Sequence, residues 1–275
     1  MNVLTEIVQS RELLTNLTLR ELRGKYKRSL LGWTWSLLNP ISMMVIYTVV
    51  FGTFLAVDPP VGSPSGLDSF PIWLMCGLLP WNFMSQSLSG SMATLIGNAG
   101  LIKKVYFQRE LLPFSLVLSL NVSFLIEMGV LVVFLVLVGQ SLIVIPWLLP
   151  TLLLIVAITA YAAGLGLLFS VANVYFRDVQ YLIGILMNLW FYATPIVYPI
   201  HYVTDYATES GRGWISTVYK ANPMVEFVGI FRSLLYDWTM PGLPSVLYVL
   251  VWSIGMFVVG LWIFRRFEGR LAEEL

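Results

Sequence analysis

The residues of this chain that could do chemistry are few, and they do not form a catalytic pattern. The single histidine, His201, has no His, Cys or carboxylate cluster near it, and the single cysteine, Cys76, is expected to be an apolar packing residue. The serine-rich stretch 85–91 lacks the G-x-S-x-G spacing of a hydrolase, and its small side chains suit close helix packing. No G-x-x-x-x-G-K-[ST] loop is present. We therefore expect no catalytic residue, metal or cofactor in this chain.

Glu127 is the one acidic residue embedded in a long apolar stretch. An ionisable side chain near the centre of a bilayer is unfavourable, so Glu127 is expected to face protein or water. Two interpretations stay open, a cavity or proton-linked residue and a hydrogen bond to a polar neighbour such as Asn121 or Ser123. No second embedded charge is available for a relay, and this argues against a proton-coupled transporter.

The composition is that of an integral membrane protein. Of the 275 residues, 58% are hydrophobic and 11% are charged, whereas ordinary soluble domains have about 25% charged residues. The net charge of +1 argues against a nucleic-acid-binding protein. A bilayer span needs about 20 mostly apolar residues, and every long stretch without Asp, Glu, Lys or Arg can hold one. These stretches are 29–57, 69–102, 128–176, 179–204 and 238–264.

The predicted fold class is an all-α integral membrane protein that forms a single domain over 1–275. Residues 1–32 contain an amphipathic helix in the membrane interface, ended by Gly24, and a basic segment. Residues 33–198 contain spans 1–5, residues 199–243 fold back as re-entrant helices, and residues 244–275 contain span 6 and a tail. The six spans lie near 34–56, 70–92, 114–138, 147–172, 179–198 and 244–264.

The distribution of basic residues predicts the orientation of these helices. Thirteen of the 16 Lys and Arg residues lie in 1–33, 93–113, 173–178 and 265–275, which are all on one side of the predicted spans. The remaining three are Arg212, Lys220 and Arg232. Because cytoplasmic loops are enriched in Lys and Arg, both termini are predicted to be cytoplasmic.

Two segments outside the spans are predicted to lie at the membrane surface or to fold back into it. Asn222 can cap a helix that starts at Pro223, with Glu226 in its first turn. Continued to Leu235, this helix would be about 20 Å long, too short to cross a core of about 30 Å, so it should be re-entrant or interfacial. Before span 1 lies a basic run that suits either a topology anchor or the binding of an anionic substrate: Arg23, Lys25, Tyr26, Lys27 and Arg28.

Five motifs give the chain a specific resemblance to a known family. They are the string from Arg23 to Trp35 that closes at Asn39-Pro40, the segment 98–113, Phe176-Arg177-Asp178, Thr194-Pro195-Ile196-Val197-Tyr198, and Asn222-Pro223-Met224. In this order they resemble the membrane (permease) subunits of ABC-2 type polysaccharide exporters, the O-antigen, capsule and teichoic-acid family. The resemblance covers nearly the whole chain.

The resemblance implies a homodimer that works with two copies of a separate ATP-binding cassette ATPase. The pair would export a lipid-linked glycan across the bacterial cytoplasmic membrane, with ATP and Mg bound by the ATPase and no cofactor in this chain. Two copies of six helices are a natural way to enclose a channel for a sugar chain. The aromatic content of 14% suits stacking on sugar rings. Membrane lipid is the other expected partner.

We assign site residues on this basis. The substrate channel would use Met43, Tyr47 and Phe51, spaced i, i+4 and i+8, with Asn188, Trp190, Phe191 and Tyr192. The ATPase would dock on Lys103, Lys104, Arg109 and Glu110 and on the N-terminal helix. An external gate would use Asn222, Pro223, Glu226 and Arg232, with the last two near the opening. The alternatives are an ABC-2 permease for lipids or drugs and a membrane-embedded envelope-lipid enzyme. A neighbouring reading frame that encodes an ATPase would separate them.

Overall fold

The computed structural model describes residues 11–26, 32–57, 59–105, 107–139 and 142–275. These residues form helices joined by turns and loops, and no β-strand occurs among them. The predicted all-α fold class is therefore confirmed.

The α-helices are, in chain order, α1 (Arg11–Tyr26), α2 (Trp35–Tyr47), α3 (Phe70–Gly97), α4 (Ala99–Ile102), α5 (Leu111–Gly139), α6 (Leu148–Tyr175), α7 (Val179–Tyr192), α8 (His201–Glu209), α9 (Gly213–Lys220), α10 (Pro223–Arg232), α11 (Leu243–Phe267) and α12 (Leu271–Glu274). Two of them are prolonged by π-helical segments, α2 by Thr48–Phe54 and α10 by Ser233–Asp237. Short 3₁₀ turns occupy Gly32–Thr34, Leu142–Trp147 and Glu268–Arg270.

Length and composition identify the helices that can cross a membrane. Among the described residues, three helical stretches are long and apolar enough, Leu111–Leu137, Ile143–Tyr175 and Leu243–Arg270. Two apolar helical stretches are shorter, Pro40–Phe54 and Val179–Tyr192. The helix α3 has 28 residues, about 42 Å, but its second half is polar. The count of six spans remains a prediction.

The helix α7 ends earlier than the predicted span 179–198. Its 14 residues rise about 21 Å, less than a bilayer core of about 30 Å. The chain leaves the helix at Ala193, and Pro195 then lacks the N–H that a continued helix would need. The Thr194–Tyr198 motif is therefore an irregular connection after a half-length helix.

The core of the fold is the contact of α6 with α3 and α11. Glycines let the backbones approach: a Cβ at Gly260 of α11 would overlap the carbonyl oxygen of Gly164 in α6. On another face of α6, a Cβ at Gly166 would lie 2.6 Å from the Ser91 Oγ of α3. Small residues at helix contacts are typical of membrane bundles, where close van der Waals packing drives association.

The first half of helix α3 is buried almost throughout. Cys76 is fully buried, which agrees with its expected packing role. Phe83 stacks on Phe124 of α5 with ring centroids 4.8 Å apart and planes 8° apart. This helix therefore provides the surface on which α5, α6 and α10 are assembled.

The N-terminal helix α1 packs along α5 and buries Leu17 and Leu22. The prediction that Gly24 ends this helix is wrong, because the helix continues to Tyr26. Glycine weakens a helix by only about 0.5–1 kcal/mol relative to alanine, and the contact with α5 compensates for this loss. Residues 1–10 of the predicted amphipathic helix, with Lys27 and Arg28 of the basic run, lie outside the described residues.

The predicted fold-back helix is present as α10. Asn222 is its N-cap, with its side chain accepting a hydrogen bond from the Met224 N–H at 3.0 Å, and Pro223 is its first residue, as predicted. Most of α10 is buried, including Phe227 and Phe231, so its backbone polar groups are sheltered by protein. The helices α8 and α9 precede it as a pair packed on each other.

Candidate functional site

A cleft of about 200 Å³ opens between α2, α3 and α7. The helix α2 contributes Met43 and Tyr47, which lie one turn apart on the same face. The other lining residues are Leu78, Trp81, Asn82 and Ser85 from α3, and Met187, Asn188, Phe191 and Tyr192 from α7. The cleft therefore combines aromatic rings with uncharged amide and hydroxyl groups in an otherwise apolar helical domain.

Aromatic contacts cross this cleft from one helix to the next. The rings of Tyr47 and Phe191 are stacked, with centroids 5.9 Å apart and planes 26° apart. Trp81 meets Phe191 edge-on at 5.7 Å, and Phe51 lies 6.0 Å from the ring of Tyr47. Stacked and edge-on pairs at such distances are favourable, so these rings help to hold α2, α3 and α7 together.

Most of the residues predicted to line a channel lie together. Those that border the cleft are Met43, Tyr47, Asn188, Phe191 and Tyr192, and Phe51 packs beside Tyr47. Trp190 lies elsewhere, because its Nε1 donates to the Asn222 Oδ1 at 2.8 Å. Trp190 instead lines a separate cavity together with Asn222 and Pro223.

Sequence reasoning missed the contribution of α3 to the cleft. Asn82 and Ser85 are polar residues in a predicted span, and each lines the cleft wall. The signal that could have found them is their i, i+3 spacing, which places both side chains on one face of a helix.

Asn222 connects α7, the Thr194–Tyr198 motif and α10. Its Oδ1 accepts hydrogen bonds from the Trp190 Nε1 and the Met224 N–H. Its Nδ2 donates to the Ala193 carbonyl oxygen at 3.1 Å and to the Thr194 Oγ1 at 3.0 Å. One amide thus fixes the end of a half-length helix against the start of the buried helix α10.

Arg232 is buried, and only 8% of it is exposed. The prediction that it lies near an opening is therefore wrong. Its guanidinium donates to the carbonyl oxygens of Pro195 at 2.6 Å, Ile196 at 2.8 Å and Trp73 at 3.4 Å. The guanidinium carbon also lies 3.5 Å from the centroid of the Trp73 ring, a cation–π contact. Arg232 therefore clamps α10 to α3 and to the Thr194–Tyr198 motif, while Glu226 stays partly exposed in the first turn of α10.

Two tyrosines add hydrogen bonds at the end of α7. The hydroxyl groups of Tyr198 and Tyr219 lie 2.8 Å apart, and the Tyr198 hydroxyl donates to the Tyr192 carbonyl oxygen. Burial raises the pKa of the Tyr219 phenol above its ordinary value. Its ring therefore stays uncharged near neutral pH and acts as a hydrogen-bonding group.

Glu127 lines a separate cavity of about 210 Å³ between α2, α3 and α5. The proposed partners Asn121 and Ser123 are engaged elsewhere: Asn121 donates to Thr159, and Ser123 accepts from the Lys25 Nζ at 3.3 Å. Lys25 thus brings a positive charge to α5 about one helical turn before Glu127. This arrangement favours the cavity interpretation and places the opposite charge on the N-terminal helix.

The segment between α3 and α5 is attached to the end of α11. The Arg265 Nη2 donates to the Glu110 Oε1 at 2.9 Å, and only 2% of Glu110 is exposed. Arg109 bonds Glu268 twice, through its backbone N–H to the carboxylate at 3.2 Å and through its guanidinium to the carbonyl oxygen. Arg109 and Glu110 thus make contacts within the chain, whereas Lys103 and Lys104 are exposed.

The predicted entrance residues lie at the end of α1. Arg23 is exposed, and Lys25 reaches Ser123 of α5. Arg20, one turn earlier, donates to the Asn98 Oδ1 at 2.9 Å and so ties α1 to the end of α3. Among the described residues, no group of His, Cys, Asp and Glu side chains could hold a metal ion.

The fold and these features define a helical membrane protein with a polar, aromatic cleft. Comparison with known proteins shows that the chain belongs to the ABC-2 type transporter family, whose model matches residues 12–236. The family resemblance noted in the sequence is thereby confirmed.

Individual relatives match the chain over nearly its full length. The chain is 32% identical to an O-antigen export system permease protein RfbA of Klebsiella pneumoniae over 265 residues, which cover 96% of this chain and 95% of the relative. It is 30% identical to the protein of the same name from Myxococcus xanthus, covering 92% and 94% of the two chains. It is 23% identical to the polysialic acid transport protein KpsM of Escherichia coli, covering 92% of both.

Proposed function

We propose that this chain is the transmembrane subunit of an ATP-driven exporter that moves a polysaccharide across a bacterial cytoplasmic membrane. The observation that carries the proposal is the cleft of aromatic rings and uncharged polar groups inside an ABC-2 membrane domain. Similarity to O-antigen export permeases along nearly the whole chain supports the same class of cargo. The chain is a permease rather than an enzyme, and ATP with Mg is bound and hydrolysed by a separate ATPase subunit.

The cleft forms part of the substrate path. Sugar rings present apolar C–H faces that stack on the more exposed rings of Tyr47 and Tyr192, each contact being worth of order 0.5–1.5 kcal/mol by analogy with aromatic pairs. Contacts of this size hold a polymer without trapping it. Phe51 and Met43 continue the same face of the first span above and below Tyr47.

The complete path requires two copies of the chain. The cleft is bordered by the two short apolar helices, α2 and α7, and large apolar residues on both are exposed in a single copy, among them Ile46, Phe54, Ile185 and Leu189. An exposed apolar surface of this kind suits contact with lipid and with a second subunit. A two-fold axis beside α2 and α7 would join the two clefts into one channel.

The ATPase docks on the cytoplasmic segment between α3 and α5 together with α1. Lys103 and Lys104 are exposed charges of the segment between α3 and α5, while Arg109 and Glu110 hold the segment against α11. The basic run at the end of α1, with Arg23 and Lys25 described here, would receive the phosphates of a lipid-linked glycan, because Lys and Arg form charge-assisted hydrogen bonds with phosphate. Lys27 and Arg28 belong to the same run.

The external gate is the unit formed by the Thr194–Tyr198 motif and α10. Asn222 and Pro223 set the start of α10, and Arg232 clamps its other end to the motif. Because this clamp is buried and hydrogen-bonded to three carbonyl groups, α10 and the motif should move as one body. Glu226 lies on the exposed side of that body.

Deletion of the reading frame in its host tests the function. We expect loss of surface polysaccharide and accumulation of lipid-linked glycan in the cytoplasmic membrane, with restoration by the intact chain. Normal surface polysaccharide, together with altered drug resistance or lipid distribution, would favour an ABC-2 permease for drugs or lipids and contradict the proposal.

A further inference from the structure

The helix α3 has two polar faces with opposite surroundings. On one face, the hydroxyls of Ser87 and Ser91 are fully buried, and Ser91 lies against Gly166 of α6. The Asn173 side chain of α6 also donates to the Met92 carbonyl oxygen at 2.9 Å on this side. This face of the serine-rich stretch therefore packs between helices, as the sequence analysis expected.

The opposite face of α3 is open. Gln86 and Ser89 are exposed, and Asn82 and Ser85 are partly exposed. Their spacing of i, i+3, i+4 and i+7 places them on a single face of the helix, and we call these four residues the polar ladder. Within the described part of the chain, no hydrogen bond joins their side chains to another residue.

An open polar face on a membrane helix needs a polar environment. Uncharged amides and hydroxyls lose their hydrogen bonds with water when they are placed against hydrocarbon, and each loss is unfavourable. Such side chains in membrane proteins face a water-filled cavity or a hydrogen-bonding partner. The polar ladder therefore marks the side of α3 that does not meet lipid.

The polar ladder continues the cleft along α3. Asn82 and Ser85 line the cleft beside Trp81, opposite Asn188 of α7. Gln86 and Ser89 extend the same face toward the predicted cytoplasmic end, so the ladder is about 10 Å long at 1.5 Å per residue. The Asn188 Nδ2 is bonded within its own helix at 3.2 Å, but its carbonyl oxygen can accept from a ligand.

We propose that the polar ladder, with Asn188, hydrogen-bonds the hydroxyl groups of the sugar chain as it passes through the membrane domain. The inference rests on the proposed function and adds a second recognition chemistry to the aromatic rings. Rings bind the apolar faces of sugars, and the ladder replaces the water that the hydroxyl edges lose. None of the five side chains is charged, so this part of the path suits hydroxyl groups rather than phosphates or carboxylates.

Cysteine accessibility tests whether the polar ladder faces water. Ser85→Cys, Ser89→Cys and the control Ser87→Cys are each made in a Cys76→Ser chain, assembled with the ATPase in membranes. A small, charged, membrane-impermeant thiol reagent should modify residues 85 and 89 and spare residue 87, which lies on the buried face. Two results would place this face in a protein contact and overturn the proposal. One is that the cysteines at both ladder positions stay unmodified, and the other is a disulfide between the residue 89 cysteines of two Ser89→Cys chains.

Export measurements test whether the polar ladder acts on the glycan. The double variant Gln86→Leu with Ser89→Ala removes two hydrogen-bonding groups and should lower export of the host polysaccharide about tenfold at equal chain abundance and ATPase binding. The control pair Ser87→Ala with Ser91→Ala makes a similar change on the packed face and should export normally, because these buried hydroxyls have no partner in the described structure.

The two tests separate the ladder from the proposed function. Normal export by the double variant would overturn the proposed role of the polar ladder. The deletion phenotype, and hence the exporter assignment, would stay intact. Loss of export in both the double variant and the control pair would indicate a folding role for α3 and would also overturn the ladder.

Discussion

At the scale of single residues, Tyr47 joins the two short helices that border the cleft. Its ring stacks on Phe191 and lies beside Phe51, while the hydroxyl group is not needed for either contact. We expect Tyr47→Ala to lower polysaccharide export several-fold, because it removes the stacking surface, worth about 1 kcal/mol per ring contact. Tyr47→Phe keeps the ring and should export normally.

Surface polysaccharide measured at matched chain abundance distinguishes these variants. Equal export by the alanine and phenylalanine variants would remove the ring of Tyr47 from the substrate path. Loss of assembly with the ATPase in Tyr47→Ala alone would instead make the ring a packing residue.

The Glu110–Arg265 ion pair is a second prediction at this scale. Glu110→Gln removes the charge that holds the Arg265 guanidinium, and hydrogen bonds to charged groups contribute about 1.5–3 kcal/mol. We therefore expect a lower thermal unfolding temperature in detergent and weaker coupling of ATP hydrolysis to export. The matched control is Arg266→Gln, which neutralises an exposed charge next to Arg265 and should leave both properties unchanged.

The exchange Glu110→Arg with Arg265→Glu completes the test of the pair. Partial recovery of stability in the double variant supports a direct interaction between the two side chains. Additive losses would show that the two residues act independently.

Sequence patterns predicted the residues that act locally and missed those that act across the fold. Asn222 was recognised as a helix cap because an N-cap bonds the backbone two residues away. The carbonyl partners of Arg232 lie 36, 37 and 159 positions away, in segments with no local signal for them. For the same reason, Glu110 looked like a free surface charge, although its partner Arg265 is 155 positions distant.

At the scale of elements, the contact between α6 and α11 depends on glycine. A Cβ at Gly260 would overlap the backbone of Gly164, which cannot move as a flexible side chain can. Gly260→Ala should therefore destabilise the fold by about 1–3 kcal/mol and lower its unfolding temperature in detergent. A Cβ at Gly255, in the same helix, would meet open space, so Gly255→Ala should be neutral or slightly stabilising. Equal unfolding temperatures for the two variants would contradict this account of the helix contact.

The starts of several apolar helices could be predicted closely, but some of their ends could not. Charge-free stretches and proline positions indicated α3 from residue 70, α7 from 179 and α11 from about 244, and the structure agrees within a residue. The end of α7 at Tyr192 depends on Asn222, which binds the Ala193 carbonyl from a distant segment. Likewise α1 continues past Gly24 because α5 supports it, and periodicity within α1 contains no information about that contact.

At the scale of the whole molecule, the distribution of Lys and Arg predicts cytoplasmic termini. In a Cys76→Ser chain, a cysteine at Ser65 should react with an impermeant thiol reagent added to intact cells from outside, and a cysteine at Lys103 should react only after the membrane is opened. The reverse labelling pattern would contradict the orientation and, with it, the placement of the ATPase surface.

The family could be recognised from the sequence because its motifs are contiguous strings, such as Phe176-Arg177-Asp178 and Asn222-Pro223-Met224. The cleft could be predicted only in part from the sequence, since it gathers residues from α2, α3 and α7 that are up to 149 positions apart. Aromatic spacing along one helix indicated the contributions of Met43 and Tyr47. Polar residues within an apolar span were the overlooked signal for Asn82 and Ser85.

ATP-driven movement of glycan in inverted membrane vesicles tests the central claim most directly. Vesicles from the host, containing this chain and its ATPase, carry lipid-linked glycan labelled by the host enzymes on their outer, cytoplasmic face. Addition of ATP should move labelled glycan into the lumen, where an added glycosidase cannot reach it, and vesicles without this chain should show no such protection. Equal protection in vesicles that lack the chain, or protection that does not depend on ATP, would contradict the account.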